Sequence, residues 1–271
     1  MAGPVVVEGV GLHSGASCRV VLMARPGPVS LRVHGVDAAI RDLVVGSTVG
    51  ATTVQDRSGA LRIGTVEHLF AALAGLGVYD GLVIDVHGPE MPLLDGCASA
   101  WCEAIARVLP SQLPAATRPL HVTRAARFEV GSSRFELAPG DGIDVRVRFE
   151  VDDPRLDRDA SWNGEADDFI ARIAPARTFV LARDLDELAR RGLARHVDPA
   201  CVVVVTPDGI LHAGRPALPD EPVRHKLLDL IGDLYLAGGP ALGRFHAVRP
   251  GHTANAHVLR RALDDGVLAP L

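Results

Sequence analysis

His225 and Asp229 stand four residues apart in RHKLLD, so on a helix they share one face, one turn apart, at the spacing a single metal ion can bridge. Asp233 continues that stripe by another turn. Among the eleven histidines, His225 alone has a carboxylate four residues downstream. A solvated helix face carries the same pattern, so spacing alone leaves both readings open. Glu67-His68 adds what a catalytic zinc site requires beyond two ligands. His68 can supply a third, leaving a position open for water, and Glu67 can face that water as a general base without binding the metal. Neighbours leave a helix in different directions, which permits different roles, although capping and surface charge are the commoner reading of such a dipeptide taken alone. The chain has no H-E-x-x-H and is not a zincin. His252 follows Pro250-Gly251 in RPGHTANAH. A turn is expected there, from which the imidazole could protonate a leaving group; a helix-capping or surface histidine is the alternative.

A compositional bias bears on the same segment. Of 28 basic residues, Lys226 is the single lysine and the rest are arginine. An ammonium is a compact donor on a thin stem, whereas a guanidinium is a bulky planar fork, so a tight site can accept one and reject the other. Chance survival of one lysine is the competing explanation.

These residues need helices to hold them. TVEHLFAALAGLG (65–77) predicts one, with Thr65 as N-cap, Glu67 in the opening turn and a closing glycine. EPVRHKLLDLIGDLYLAGG (221–239) predicts another, opened by Glu-Pro and closed by a glycine pair. Further helices are expected at ASAWCEAIARVL (98–109) and ANAHVLRRALDDG (254–266). Strands are expected at SCRVVLMA (17–24) and IDVRVRFEV (143–151), which alternate or run β-branched. The proline-bearing LPSQLPAATRPL (109–120) suits a linker. Strands followed by helices, twice over, predict an α+β chain of two domains of similar topology, spanning 1–112 and 121–271.

Composition narrows the function. Nearly half the residues are apolar, charges are spread throughout, and 271 residues can bury a sizeable core, so a soluble globular protein is expected. A net charge of −5 without a basic stripe argues against nucleic acid as partner. No apolar run reaches the ~18 residues of a membrane span. The first residues, MAGPVVVEGVGLHSG, lack the basic start of a secretory signal. Cys18, Cys97, Cys102 and Cys201 form no C-x-x-C pair and read as free thiols of a reducing cytoplasm.

GVGLHSG (9–15), TVEHLFAALAGLGVYDG (65–81), PEMPLLDG (89–96), ARTF (176–179), HKLLDLIGDLYL (225–236) and GHTAN (251–255) occur in this order across nearly the whole chain. Together they resemble the UDP-3-O-acyl-N-acetylglucosamine deacetylases of lipid A biosynthesis. The resemblance implies two like domains, each a β-sheet with helices, packed face to face around the active site. It implies His68, His225 and Asp229 as ligands of zinc, with ferrous iron as the alternative metal. Glu67 would be the general base, His252 the general acid, and Asp233 the residue that orients it. Thr178 would help bind the oxyanion, and Lys226 would contact substrate or its developing charge. The substrate would be an acylated UDP-amino sugar, met in the cytoplasm with transient contact at the inner membrane surface. Val180 stands where the family usually has glycine, LARHVDPACVVVV replaces the usual Gly-Gly-Ser and Asn-Ala segments, and Cys97 replaces a serine. The stretch 180–206 belongs to the insert that forms the family's acyl-chain passage, so acyl preference is where this chain would differ. Two rival readings are a zinc amidase for another acylated amino sugar and a catalytically silent paralogue that binds the nucleotide sugar or its acyl chain.

Overall fold

The computed structural model describes residues 3–109, 116–151, 153, 156–192, 197–218 and 220–270. Part of the proposed linker (109–120) and residues 193–196 of the insert lie outside them.

Alternation along the strands builds sheets with one buried face. In the first half, β1 (Val5–Val10) pairs antiparallel with β2 (Ser17–Pro28), and β3 (Ser30–Val33) with β4 (Val36–Ala39). Three two-residue strands, β5 (Val44–Val45), β6 (Val54–Gln55) and β7 (Arg62–Ile63), form a small separate sheet. Helix α1 (Glu67–Gly75), strand β8 (Asp80–His87) and helix α2 (Ser99–Val108) follow. β8 enters between the two pairs, antiparallel to β2 and parallel to β3, for an order β1-β2-β8-β3-β4.

The second half repeats this plan. After β9 (Leu120–Val122) come the antiparallel pairs β10 (Ala126–Val130) with β11 (Ser133–Ala138) and β12 (Ile143–Phe149) with β13 (Arg158–Trp162). A short helix α3 (Ala166–Asp168) leads to the insert, in which β14 (Phe179–Leu181), α4 (Leu185–Arg190), β15 (Val203–Thr206) and β16 (Gly209–Leu211) form a sheet crossed by one helix. Then α5 (Glu221–Leu234), β17 (Ala241–Val248), α6 (His252–Asp264) and β18 (Leu268–Pro270) complete the chain. β17 lies between the pairs, antiparallel to β11 and parallel to β12, as β8 does in the first sheet.

The two sheets enclose the helices. α2 packs on β1 and β2, α5 on β12 and β13, and α1 meets α5 across the middle. Every residue of α1 is buried, which suits its all-round apolar sequence and its small residues Ala71, Ala72 and Ala74. Gly232 permits the crossing: a Cβ there would stand 2.1 Å from the Glu67 carbonyl oxygen. α1 and α5 thus touch backbone to backbone at the residues marked for chemistry.

Two local expectations need correction. Thr65 is not an N-cap; Val66 precedes the helix without a side-chain cap, and Thr65 takes φ 56°. Its hydroxyl instead donates to Glu90 Oε2 at 2.7 Å, and Glu90 also accepts from the Ser14 backbone N–H and hydroxyl, both at 2.6 Å. A buried carboxylate with several donors outweighs a single cap bond, so Glu90 fixes the entry to α1. His252 lies not in a turn but at the first position of α6, after an extended Gly251. The α5 expectation holds at its far end, where Gly238 takes φ 81° after a final 3-10 turn. The four cysteines are free thiols.

Candidate metal centre and active site

α1 and α5 bring His68, His225 and Asp229 together from opposite halves, with one ligand atom from each within 4.8 Å of the others and all three residues buried. His225 Nδ1 lies 3.0 Å from the Ala176 carbonyl, which can only accept, so the proton sits on Nδ1 and Nε2 is left as a donor atom for a metal. Asp229 Oδ1 is buried without a hydrogen-bond partner and stands 3.3 Å from His225 Nε2 and 4.0 Å from His68 Nε2. Two imidazole nitrogens and an unpartnered carboxylate oxygen converging in a buried site form a donor set that fits a divalent cation. The other carboxylate oxygen, Oδ2, accepts from Lys226 Nζ at 2.8 Å, and that ammonium also lies 5.5 Å from the centre of the Phe179 ring.

Beside the three sit the other two groups. Glu67, the first residue of α1, is buried and held through Oε2 by the Thr52 backbone N–H at 2.9 Å. His252 Nε2 faces it, 3.8 Å from Glu67 Oε1, while His252 Nδ1 lies 3.0 Å from Asp233 Oδ2. Asp233 thus continues the α5 stripe but turns its carboxylate to His252. Asn255 Nδ2 also donates to Asp233 Oδ2, at 2.8 Å.

Burial and mutual charge set the protonation states. Burial pushes the Glu67 carboxyl up to about 7, against the pull of His252 and with the help of Asp229 and Asp233. Burial likewise takes His68 down to about 3, with His225 adding to it, and lowers His225 as well. Burial opposes charge on His252 too, but Asp233, Asp229 and Glu67 outweigh it and raise that imidazole to about 10. For Asp229 burial would raise the carboxyl, yet His225, Lys226 and His252 hold it well below the usual range.

Thr178 is fixed by its backbone, donating to the Gly96 carbonyl at 2.7 Å and accepting from the Val203 N–H at 2.9 Å. It precedes Phe179, whose ring meets His225 edge-on at 6.2 Å. Two further groups were not evident from sequence. Thr52 lies in an unremarked ATTV segment, and only the fold carries it to Glu67 and Asp233. Arg177 and Glu221, both fully buried, pair at 2.9 Å at the neck of the insert; the unmatched side chain in the ARTF motif was its only signal.

A buried His-His-Asp group flanked by a further carboxylate and a further imidazole is the equipment of a metal-dependent hydrolase. Comparison with known proteins makes this specific. Residues 1–264 match the family LpxC, UDP-3-O-acyl N-acetylglycosamine deacetylase, and the chain belongs to it. Similar curated proteins include those of Shewanella loihica (36% identical over 277 residues, 96% of this chain and 87% of that protein) and Myxococcus xanthus (34% over 272 residues, 96% and 84%). A third, from Psychrobacter cryohalolentis, is 34% identical over 279 residues, covering 96% of this chain and 83% of its own. Each bears the name UDP-3-O-acyl-N-acetylglucosamine deacetylase. Among the described residues no helix is long and apolar enough to cross a membrane.

Proposed function

We propose that this protein hydrolyses the 2-acetamido group of UDP-3-O-acyl-N-acetylglucosamine to the free amine and acetate, in lipid A biosynthesis, with zinc held by His68, His225 and Asp229. The carrying observation is that Glu67 and His252, one from each half, face each other beside those three residues at 3.8 Å. Two imidazoles and a carboxylate suit zinc, and ferrous iron is accepted by the same set. When bound, such an ion polarises a carbonyl oxygen and lowers the pKa of water from ~15.7 towards ~7.

The protein's own groups divide the proton transfers. Glu67, poised near neutrality by burial, takes the proton of the attacking water. His252, kept protonated by its carboxylate neighbours, gives a proton to the departing amine. Both are raised, Glu67 to about 7 by burial and His252 to about 10 by its carboxylate neighbours, which supports Glu67 as the base and His252 as the acid. Asp233 orients His252 through Nδ1. Thr178, set at the edge of the site by its backbone, supports the oxyanion. Lys226 holds Asp229 Oδ2 and so keeps Oδ1 turned to the metal position, in addition to facing the substrate.

The two halves act as domains 1–112 and 121–271, and the insert near 180–206 takes the acyl chain. Ile210 and Leu211, exposed on β16 just after that stretch, support transient contact with the inner membrane surface from a cytoplasmic location. Incubation of the metal-loaded protein with the acylated UDP-sugar, with acetate release as readout, tests the reading. Acetate from another acylated amino sugar alone would move the assignment to a different amidase, and no acetate from either would leave a binding protein. Elemental analysis of protein prepared without chelator should find one zinc or iron per chain, and its absence after zinc reconstitution would end the metalloenzyme assignment.

A further inference from the structure

Among the described residues, Thr52 is the one that hydrogen-bonds towards both Glu67 and His252. It is 1% exposed, in the segment between β5 and β6. Its backbone N–H donates to Glu67 Oε2 at 2.9 Å. Its hydroxyl lies 2.6 Å from Asp233 Oδ1 and 3.1 Å from His252 Nδ1. Its carbonyl accepts from the Val66 N–H at 3.2 Å, which ties the segment to the start of α1.

The hydroxyl has one proton to give, and an ionised carboxylate can only accept. The short contact to Asp233 Oδ1 therefore uses that proton, and the hydroxyl oxygen is left to accept. His252 Nδ1 is 3.0 Å from Asp233 Oδ2, so it carries a proton there, shared between Asp233 and the Thr52 oxygen. The result is a closed ring of Thr52, Asp233 and His252 that fixes the plane of the imidazole and the tautomer in which it works. A β-branched side chain, stiff at χ1, holds the hydroxyl in place.

We propose that Thr52 is a positioning residue that couples base and acid: its amide aims Glu67, and its hydroxyl aims His252 both directly and through Asp233. The inference rests on Glu67 and His252 acting as base and acid in the deacetylation proposed above. Both arms end on the proton-transfer groups, so the effect should fall on kcat and leave KM nearly unchanged.

Thr52→Val keeps the shape and the amide and deletes the hydroxyl, so it tests the His252 arm alone. Metal-loaded Thr52→Val should retain its metal and lose kcat by an amount up to the ~10²-fold that misplacement of a reacting group produces. Thr52→Ser should recover most of that loss. In an Asp233→Asn background the Thr52→Val change should cost much less than in the wild type, because both act through one imidazole. Full kcat in Thr52→Val, or independent losses multiplying in the double variant, overturns the inference. Should Thr52→Val fail to fold, Thr52→Cys replaces it, since a thiol is a weaker donor and kcat should fall in the order Thr, Ser, Cys. Equal kcat across that series overturns the inference as well. Wild-type protein assayed alongside separates the two failures: an inactive wild type refutes the deacetylase reading and this inference with it, whereas an active wild type with an equally active valine variant refutes only the role of Thr52.

Discussion

Replacing Arg177 with Met should destabilise the protein severely, although Arg177 has no part in the chemistry. The Arg177 guanidinium is 1% exposed and pairs with Glu221, which is fully buried, through Nε at 2.9 Å and through a second nitrogen at 3.2 Å. The same guanidinium donates to the carbonyls of Ala200 and Ala213, so it closes the neck of the insert on the first turn of α5. Arg177→Met keeps the stem and leaves the buried Glu221 with only the partly exposed Arg215, 3.3 Å from Oε1, as a charged partner. Breaking one partner of such a pair costs about 3–5 kcal/mol. An unfolding entropy of ~2.1 cal/mol/K per residue gives about 0.6 kcal/mol/K for a chain of this length, so Tm should fall by roughly 5–9 °C. Calorimetry or circular dichroism on metal-loaded protein reads this directly. Arg177→Met/Glu221→Leu should be less destabilised than either single variant, since removing both charges lifts the desolvation penalty. A single variant that melts within about 2 °C of wild type, or a double variant whose loss equals the sum of the singles, would refute the argument.

Glu67→Gln should leave metal content near wild type and lower kcat by roughly 10²–10⁴-fold, whereas His68→Ala should lose metal; elemental analysis beside steady-state kinetics separates them, and a Glu67→Gln protein without metal would make Glu67 a ligand. Lys226→Arg should lower kcat/KM by about tenfold or more, the equivalent of ~1.5 kcal/mol for a hydrogen bond to a charged group, because a guanidinium overfills the 2.8 Å contact to Asp229 Oδ2; wild-type kinetics would show the lone lysine to be an accident of composition. Metal-free protein should lose stability as pH falls. His68 is held at about 3 in the fold but binds a proton near ~6.5 when unfolded, so its contribution is present above that value and lost on the way down. His252, raised to about 10, acts oppositely, with stability present below ~6.5 and lost as pH rises through its folded value. Melts of chelator-treated His68→Gln across the acid range should show a flatter slope than wild type, and an unchanged slope would remove His68 as the source.

Sequence alone determined the local features. Local pattern gave helices α1, α2, α5 and α6 and the alternating strands β2 and β12, and the two-part order of strands then helices was readable along the chain. His225 and Asp229 could be paired without a structure because a helix fixes the geometry of residues four apart. Family motifs supplied the rest of the site as residue types. What the fold alone decided is how α1 and α5 meet. Their contact joins residues more than 150 positions apart, and it depends on Gly232 admitting the Glu67 backbone, a constraint invisible in a one-dimensional pattern. The insertion of β8 and β17 between strand pairs, parallel to one neighbour and antiparallel to the other, is likewise a matter of sheet assembly. Thr65 shows the limit of local reading: its sequence context signals a cap, yet Glu90, 25 residues away, claims its hydroxyl. Thr52 had no pattern to betray it, because a hydrogen bond to a buried carboxylate is defined by distance in space, and only packing two halves against each other sets that distance.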